Sequence, residues 1–478
     1  MSDANMYLRN KGDSTEKVQM GIHTDIPSPM YIPEVKGAEG LRALLNHTDT
    51  LDEQNPITVP AAKWSWLRSK NEITTRTNEQ GEEVGSQEIQ ELEEEHPLVF
   101  FDPPELYNYK RTKTLVNYLT RLSSLDKDEF ERLLREGRHA EAQSIFPEFV
   151  QPFIHANINR VLEETEGAAT VAANAGEIDS AEEAWIELEP NNYEGYFDIL
   201  AEEASKVPSS IVIPPVPQFA RTWNADLAEA WITANQKMAE AVEDIQDTDA
   251  YFHLYITPEA FDTDADRDTA LEALQTLNPE VNSYDYAGIA LTVYYPNRIW
   301  QTNRAARMET FVGQLSDIAS EHNLPIISPR SEWFGSYATD LGIQGFSTML
   351  NGAWEYRRYS SEGGPTGADR YGRTMIPNEA RALKVRSNNN EDLEGYLSAN
   401  GSLPTIPGLP DVPPTYDPSG SSLTQKFGTD AEFRRTFGKP RRLAHVREAE
   451  QFREDRSNGV MNPAKEYLET SRNPYIEI

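Results

Sequence analysis

The chain of 478 residues contains no cysteine, which excludes disulfides, thiolate zinc sites and a cysteine nucleophile. No apolar run approaches the ~18 residues that a membrane-spanning helix needs. The stretch from Met1 to Glu16 has neither the basic start nor the apolar segment of a secretory signal. A soluble, cytoplasmic protein with no membrane partner is expected. Sharp catalytic signatures are missing too: there is no Walker A loop, no G-x-G-x-x-G after a strand, no H-E-x-x-H and no G-x-S-x-G. Gly363-Gly364-Pro365-Thr366-Gly367 fits no phosphate-loop template. Nucleotide hydrolysis, Rossmann redox chemistry and serine hydrolysis all lose ground.

Positive charge is the remaining shortage. Lysine and arginine number 44 against 78 acidic residues, for a formal charge of −34. That self-repulsion is costly in dilute buffer. Molar salt shortens the screening length to about 3 Å, and the same surface then confers solubility. The composition resembles that of proteins from extremely halophilic archaea or their viruses, and the resemblance implies a high-salt cytoplasm.

What is present is a rhythm. Nine short segments read as buried strands: Tyr31–Lys36, Ile57–Lys63, Leu98–Asp102, Trp185–Glu189, Ile211–Ile213, Tyr251–Thr257, Ile289–Tyr295, Ile326–Arg330 and Ile343–Ser347. Amphipathic helical patterns separate several of them, notably after Asn224, over 264–277 and over 303–320, which is the βαβ pattern. Alternate residues of a strand share a face. In Tyr251–Thr257 the apolar face is Phe252, Leu254 and Ile256, with His253, Tyr255 and Thr257 opposite. An open, doubly wound sheet is apolar on both faces. One apolar face and one repeatedly polar or aromatic face instead predict a (β/α)8 TIM-barrel-like body, with an open, mostly parallel α/β sheet as the alternative. One of the nine strands must then lie outside the barrel. Residues 1–28 are expected as a polar arm and 29–360 as the barrel, with a helical insertion at about 103–180. Residues 361–478 are expected as a loop and Pro/Gly/Ser-rich strap followed by helices that pack on the barrel.

Working sites of such folds lie at the carboxyl ends of the strands. The strongest candidate there is the pair Glu187 and Glu189 beside Trp185. Two glutamates on one inward strand face need partners or a task; they suit divided acid and base roles, or Mg²⁺ ligation. The alternative is neutralisation by Lys36, Lys63 or Arg330. Arg330, Glu332 and Trp333 form a second candidate, an arginine fork for a carboxylate or phosphate with an acid beside an aromatic platform. Asp102, which ends a strand before two prolines, is a third catalytic candidate, and His253 is read as a base or a ligand. Tyr255 and Tyr294 are expected to line the substrate site, with Lys36 and Lys63 as clamps. Finally, Arg434, Arg435, Lys439, Arg441 and Arg442 cluster without an intervening acid. They are read as an anion or nucleic-acid contact, or as an arm docking on the acidic body.

Inward carboxylates beside aromatic faces point to hydrolysis or transfer at a glycosidic or similarly polar bond of a sugar- or nucleotide-like substrate. Two alternatives stand beside it. One is a metal-dependent phosphoester hydrolase. The other is a non-catalytic binding protein of a nucleic-acid-associated, viral or defence assembly. The sequence requires no cofactor.

Overall fold

The computed structural model describes residues 17–35, 37–45, 55–72, 86–108, 112–119, 125–155, 179–219, 224–273, 284–294, 304–331 and 334–349, apart from 21–22, 285 and 336–337. It also describes short pieces at 76–77, 83–84, 370–376 and 381–386, and scattered positions up to 425.

Eight strands close into an all-parallel barrel, so the closed architecture is realised and not the open sheet. They are β1 (Met30–Glu34), β2 (Ile57–Pro60), β3 (Leu98–Phe101), β4 (Ser210–Ile213), β5 (Thr248–Ile256), β6 (Gly288–Val293), β7 (Ile326–Ser328) and β8 (Gly345–Met349). Each strand pairs with its chain neighbours, and β8 returns to β1 with Gly345 opposite Met30. The composition of these segments explains them: runs such as Ile57-Thr58-Val59 and Ile211-Val212-Ile213 are β-branched and fully buried.

The expected strand Trp185–Glu189 is the one outside the barrel, because it is not a strand. Asp179–Ile186 is helical, and Glu189 caps a second helix, Pro190–Ala204. The alternation of apolar and acidic residues there mimics a period of two. The buried residues Ala181, Ala184, Trp185 and Leu188 recur at helical spacing instead. Pro190 at the first helical position and Asn192 Oδ1, which accepts from the Glu189 N–H at 2.8 Å, mark a helix start.

Strand alternation sorts the apolar residues into two cores. Ile32, Val99, Phe101, Ile211, Ile213 and Tyr251 fill the lumen, whereas Ile57, Val59, Phe100, Val212, Leu254 and Leu291 face the surrounding helices. The lumen is therefore apolar over most of its height. Space is tight at its lower end: a Cβ on Gly288 would stand 2.4 Å from the Tyr251 ring, so only glycine fits there. The same end is closed by an antiparallel hairpin, Lys17–Met20 with His23–Pro27, whose Met20 and Ile26 join the lumen core. This part of the amino-terminal arm is thus anchored, because Met20 and Ile26 pack with the lumen residues.

The helices follow in chain order: α1 (Ala38–Leu45), α2 (Trp64–Glu72), α3 (Ser86–Glu95), α4 (Glu105–Asn108), α5 (Thr112–Leu119), α6 (Lys127–Arg135), α7 (His139–Gln143), α8 (Asp179–Ile186), α9 (Pro190–Ala204), α10 (Ala225–Val242), α11 (Asp264–Ala273) and α12 (Arg304–Glu321). Between β3 and β4 every described element is helical. An aromatic cluster of Tyr107, Phe149, Phe153, Trp185 and Tyr196 holds that insertion together. Helix α10 begins where the cap pattern places it: Asn224 Oδ1 accepts from the Leu227 N–H at 2.8 Å, and Leu227, Trp231, Ala234 and Met238 form its buried stripe. Outside the barrel, 370–376 pairs antiparallel with 381–386, and 76–77 with 83–84. Among the described residues no helix is long and apolar enough to cross a membrane.

Candidate functional site

The polar groups of the barrel gather at the carboxyl ends of β1, β3, β5, β6, β7 and β8. Glu34, the last residue of β1, lies on the lumen face with Met30 and Ile32. Across the mouth is Arg330, two residues beyond β7. Ile326 packs toward the helices and Ile327 into the lumen, so strict alternation would send residue 330 outward. The chain instead turns after Ser328, and Arg330 takes a left-handed backbone conformation with φ 49°. Its N–H is fixed by Ser347 Oγ on β8 at 3.0 Å, and the next N–H, of Ser331, by the Ser347 carbonyl at 3.1 Å. A non-glycine residue in this region is strained, and such strain collects at functional sites.

The guanidinium is placed over the Phe101 ring at 5.3 Å. Its Nε donates to Glu34 Oε1 at 2.7 Å, its Nη2 is ion-paired with the same oxygen at 2.6 Å, and its Nη1 donates to Glu105 Oε1 at 2.6 Å. Glu105 opens α4, immediately after the Pro103-Pro104 break. All three side chains are buried, with at most 9% of the side chain exposed. Two carboxylates from separate segments therefore share one desolvated cation, an arrangement in which each charge depends on the others.

Below this triad His253 faces the lumen, as its strand register predicts, but both ring nitrogens are engaged. Nδ1 lies 2.5 Å from the Pro214 carbonyl and must carry the proton, because a carbonyl only accepts; Nε2 lies 2.8 Å from Thr292 Oγ1 and accepts from it. Burial lowers the imidazole to about 4, against the pull of the Pro214 carbonyl. It stands as a neutral structural residue, with neither nitrogen left to act as base or ligand.

Asp102 follows the strand alternation, but onto the other side of the wall. Phe101 fills the lumen and Phe100 the helix layer, so Asp102 turns outward into the insertion. There the Tyr107 hydroxyl of α4 and the Tyr196 hydroxyl of α9 stand 2.9 and 2.7 Å from its Oδ2. Burial pushes its carboxyl up to about 6 against the opposing hydroxyls of Tyr196, Tyr118 and Tyr107, and the charge of Glu105 adds to the rise.

The other expected site residues are dispersed. Glu187 and Glu189 are exposed on the outer surface of the insertion. Trp185 is buried within it, donating from Nε1 to Asn108 Oδ1 at 3.1 Å. Glu187 and Glu189 lie outside the barrel because this segment is the end of one helix and the cap of the next, not a strand. Tyr255 is buried and shares the β5 face of Tyr251 and His253, Tyr294 is partly buried just beyond β6, and the Lys63 ammonium lies over the Tyr118 ring at 5.0 Å. Lys36, Glu332 and Trp333 lie outside the described residues, as do Arg434, Arg435, Lys439, Arg441 and Arg442. Among the described candidates, Arg330 is the one tied to carboxylates at the mouth.

Compared with known proteins, the chain matches no family model and no curated protein.

Sequence reasoning missed Glu105 and passed over Glu34 as a site residue. The alternation of Met30, Ile32 and Glu34 was the available signal for the second. None existed for Glu105, which owes its place to the turn after two prolines. Among the described residues no group of three or more acidic or imidazole side chains is arranged to hold a metal ion.

Proposed function

We propose that the protein is an enzyme acting at a glycosidic or similarly polar bond, by hydrolysis or transfer, with Glu34 and Glu105 as its carboxylate pair. One observation supports this most: two carboxylates on separate segments converge on the strained, buried Arg330 at the carboxyl end of a parallel barrel. That end of the barrel is where such folds work. Paired carboxylates suit glycosyl transfer, in which one group gives a proton to the leaving oxygen while its partner attacks or activates water. The guanidinium would release one carboxylate on exchanging it for an anionic or polyhydroxyl part of the substrate, since its fork accepts either. The acidic composition supports a working medium of molar salt, of the kind extreme halophiles maintain.

The test is turnover of a panel of aryl glycosides and nucleosides in molar KCl by the native chain, Glu34→Gln and Glu105→Gln. Glutamine keeps the volume but neither donates nor accepts a proton at neutral pH. Activity that falls by about a hundredfold or more in either variant, at an unchanged unfolding midpoint, supports the reading. Full activity in both variants overturns it. So does an inactive native chain whose two variants unfold far more readily, because the triad is then a structural clamp.

A further inference from the structure

Three oxygens at the end of β3 form a closed triangle. The Tyr107 and Tyr196 hydroxyls lie 2.9 and 2.7 Å from Asp102 Oδ2 and 2.8 Å from each other. Each edge has the length of a hydrogen bond, and each edge needs one proton. A tyrosine hydroxyl owns a single proton. With Asp102 ionised, the set therefore holds two protons for three edges, and one pair of oxygens meets with no hydrogen between them. A proton on Oδ2 supplies the third. Asp102 then donates to one tyrosine, that tyrosine donates to the other, and the second donates back to Oδ2.

We propose that Asp102 is held as a neutral carboxylic acid that closes this ring, and that losing its proton as pH rises unlocks the helical insertion from the barrel. The groups facing Asp102 pull both ways: the hydroxyls of Tyr196, Tyr118 and Tyr107 favour the charged form, whereas burial, the largest influence, and the charge of Glu105 favour the neutral one. Tyr107 on α4 and Tyr196 on α9 complete the ring. Tyr118 on α5 brings a third neutral hydroxyl, tied at 3.1 Å to the Ala62 N–H. Glu105 on α4 brings a negative charge that opposes a second one. Two cations of this region are engaged with other groups, Lys63 over the Tyr118 ring and Arg330 with Glu34 and Glu105. Full burial of the carboxyl favours its neutral form in the same direction.

The ring joins three separate parts of the chain, the end of β3, α4 and α9. Helix α4 carries Tyr107 and, two residues earlier, Glu105. The device that fixes Tyr107 therefore also fixes the carboxylate that meets Arg330, and opening the ring frees Glu105 to move. The lock itself does not depend on the catalytic reading of the mouth.

Amide hydrogen exchange of the full chain in molar KCl tests it, at about pH 5 and about pH 8, with intrinsic rates divided out. Peptides covering 105–108 and 190–204 should open about tenfold more at the higher pH, while β5 and β6 stay unchanged. In Asp102→Asn the amide replaces the neutral acid as both donor and acceptor, and protection should no longer depend on pH. Equal protection of the native chain at both pH values overturns the proposal, as does a pH dependence that survives in the variant. Should the variant not fold, infrared spectroscopy of the native chain decides. A protonated-carboxyl stretching band at pH 5 that fades toward pH 8 supports the ring, and its absence at pH 5 overturns it.

Discussion

Arg330 and Glu34 are 296 residues apart in the chain, yet Nε of one donates to Oε1 of the other at 2.7 Å and Nη2 is ion-paired with the same oxygen at 2.6 Å. This contact closes the barrel mouth between its last segments and its first. Glu105, on the far side of the same guanidinium, ties in the helical insertion.

Replacing Arg330 with Met should expose the cost of that arrangement. Glu34 and Glu105 would remain buried without their cation, and breaking a buried pair in this way costs about 3–5 kcal/mol. A shift of that size in urea unfolding is expected. Arg330→Lys should lie between the two, since a single ammonium cannot span both carboxylates as the fork does.

Asp102 and His253 should tilt the pH dependence of stability in opposite directions. Asp102 is raised from 3.8 to about 6, so between those values the folded state binds the extra proton and stability falls as pH rises. His253 is lowered from 6.5 to about 4, so between those values the unfolded state binds the extra proton and stability rises with pH. The two slopes largely offset each other in the native chain. Asp102→Asn should unmask a rise in stability between pH ~4 and ~6, and at neutral pH should be more stable than the native chain by about 3 kcal/mol. His253→Gln should unmask a fall over the same window. Denaturation at several pH values distinguishes these outcomes, and parallel curves for all three proteins would refute the assignment.

Gly288→Ala should be disproportionately harmful for the addition of one methyl group. Its Cβ would stand 2.4 to 2.8 Å from three carbons of the Tyr251 ring, which is buried in the lumen and cannot swing away. Overpacking of this kind costs about 1–3 kcal/mol. Loss of thermal stability is expected, and relief by Tyr251→Leu in the double variant would show that the ring is the cause.

Salt is the broadest prediction. With a formal charge of −34, the unfolding midpoint should climb from dilute buffer to molar KCl as self-repulsion is screened. A midpoint independent of salt would remove the halophilic reading.

The sequence by itself determined the barrel and most of its strands. Alternation such as Phe252, Leu254 and Ile256 against Tyr251 and His253 records which face meets helices, and eight such segments with helices between them leave little choice of architecture. It also determined where α10 starts, because Asn224 and Leu227 are close neighbours and a cap is a local interaction. It misled at Trp185–Glu189, where five residues satisfy both a two-residue and a helical period, and packing against Asn108, 77 residues away, settles the matter. The site was legible only in part. Arg330 was visible as a fork near a strand end; its partners were not, because Glu34 and Glu105 reach it across 296 and 225 residues of chain. The turn that aims it is a backbone state that few side chains adopt unaided. Asp102 was placed on the correct strand but assigned the wrong side of the wall. Alternation states which residues share a face, and only barrel closure decides which of the two faces is the lumen.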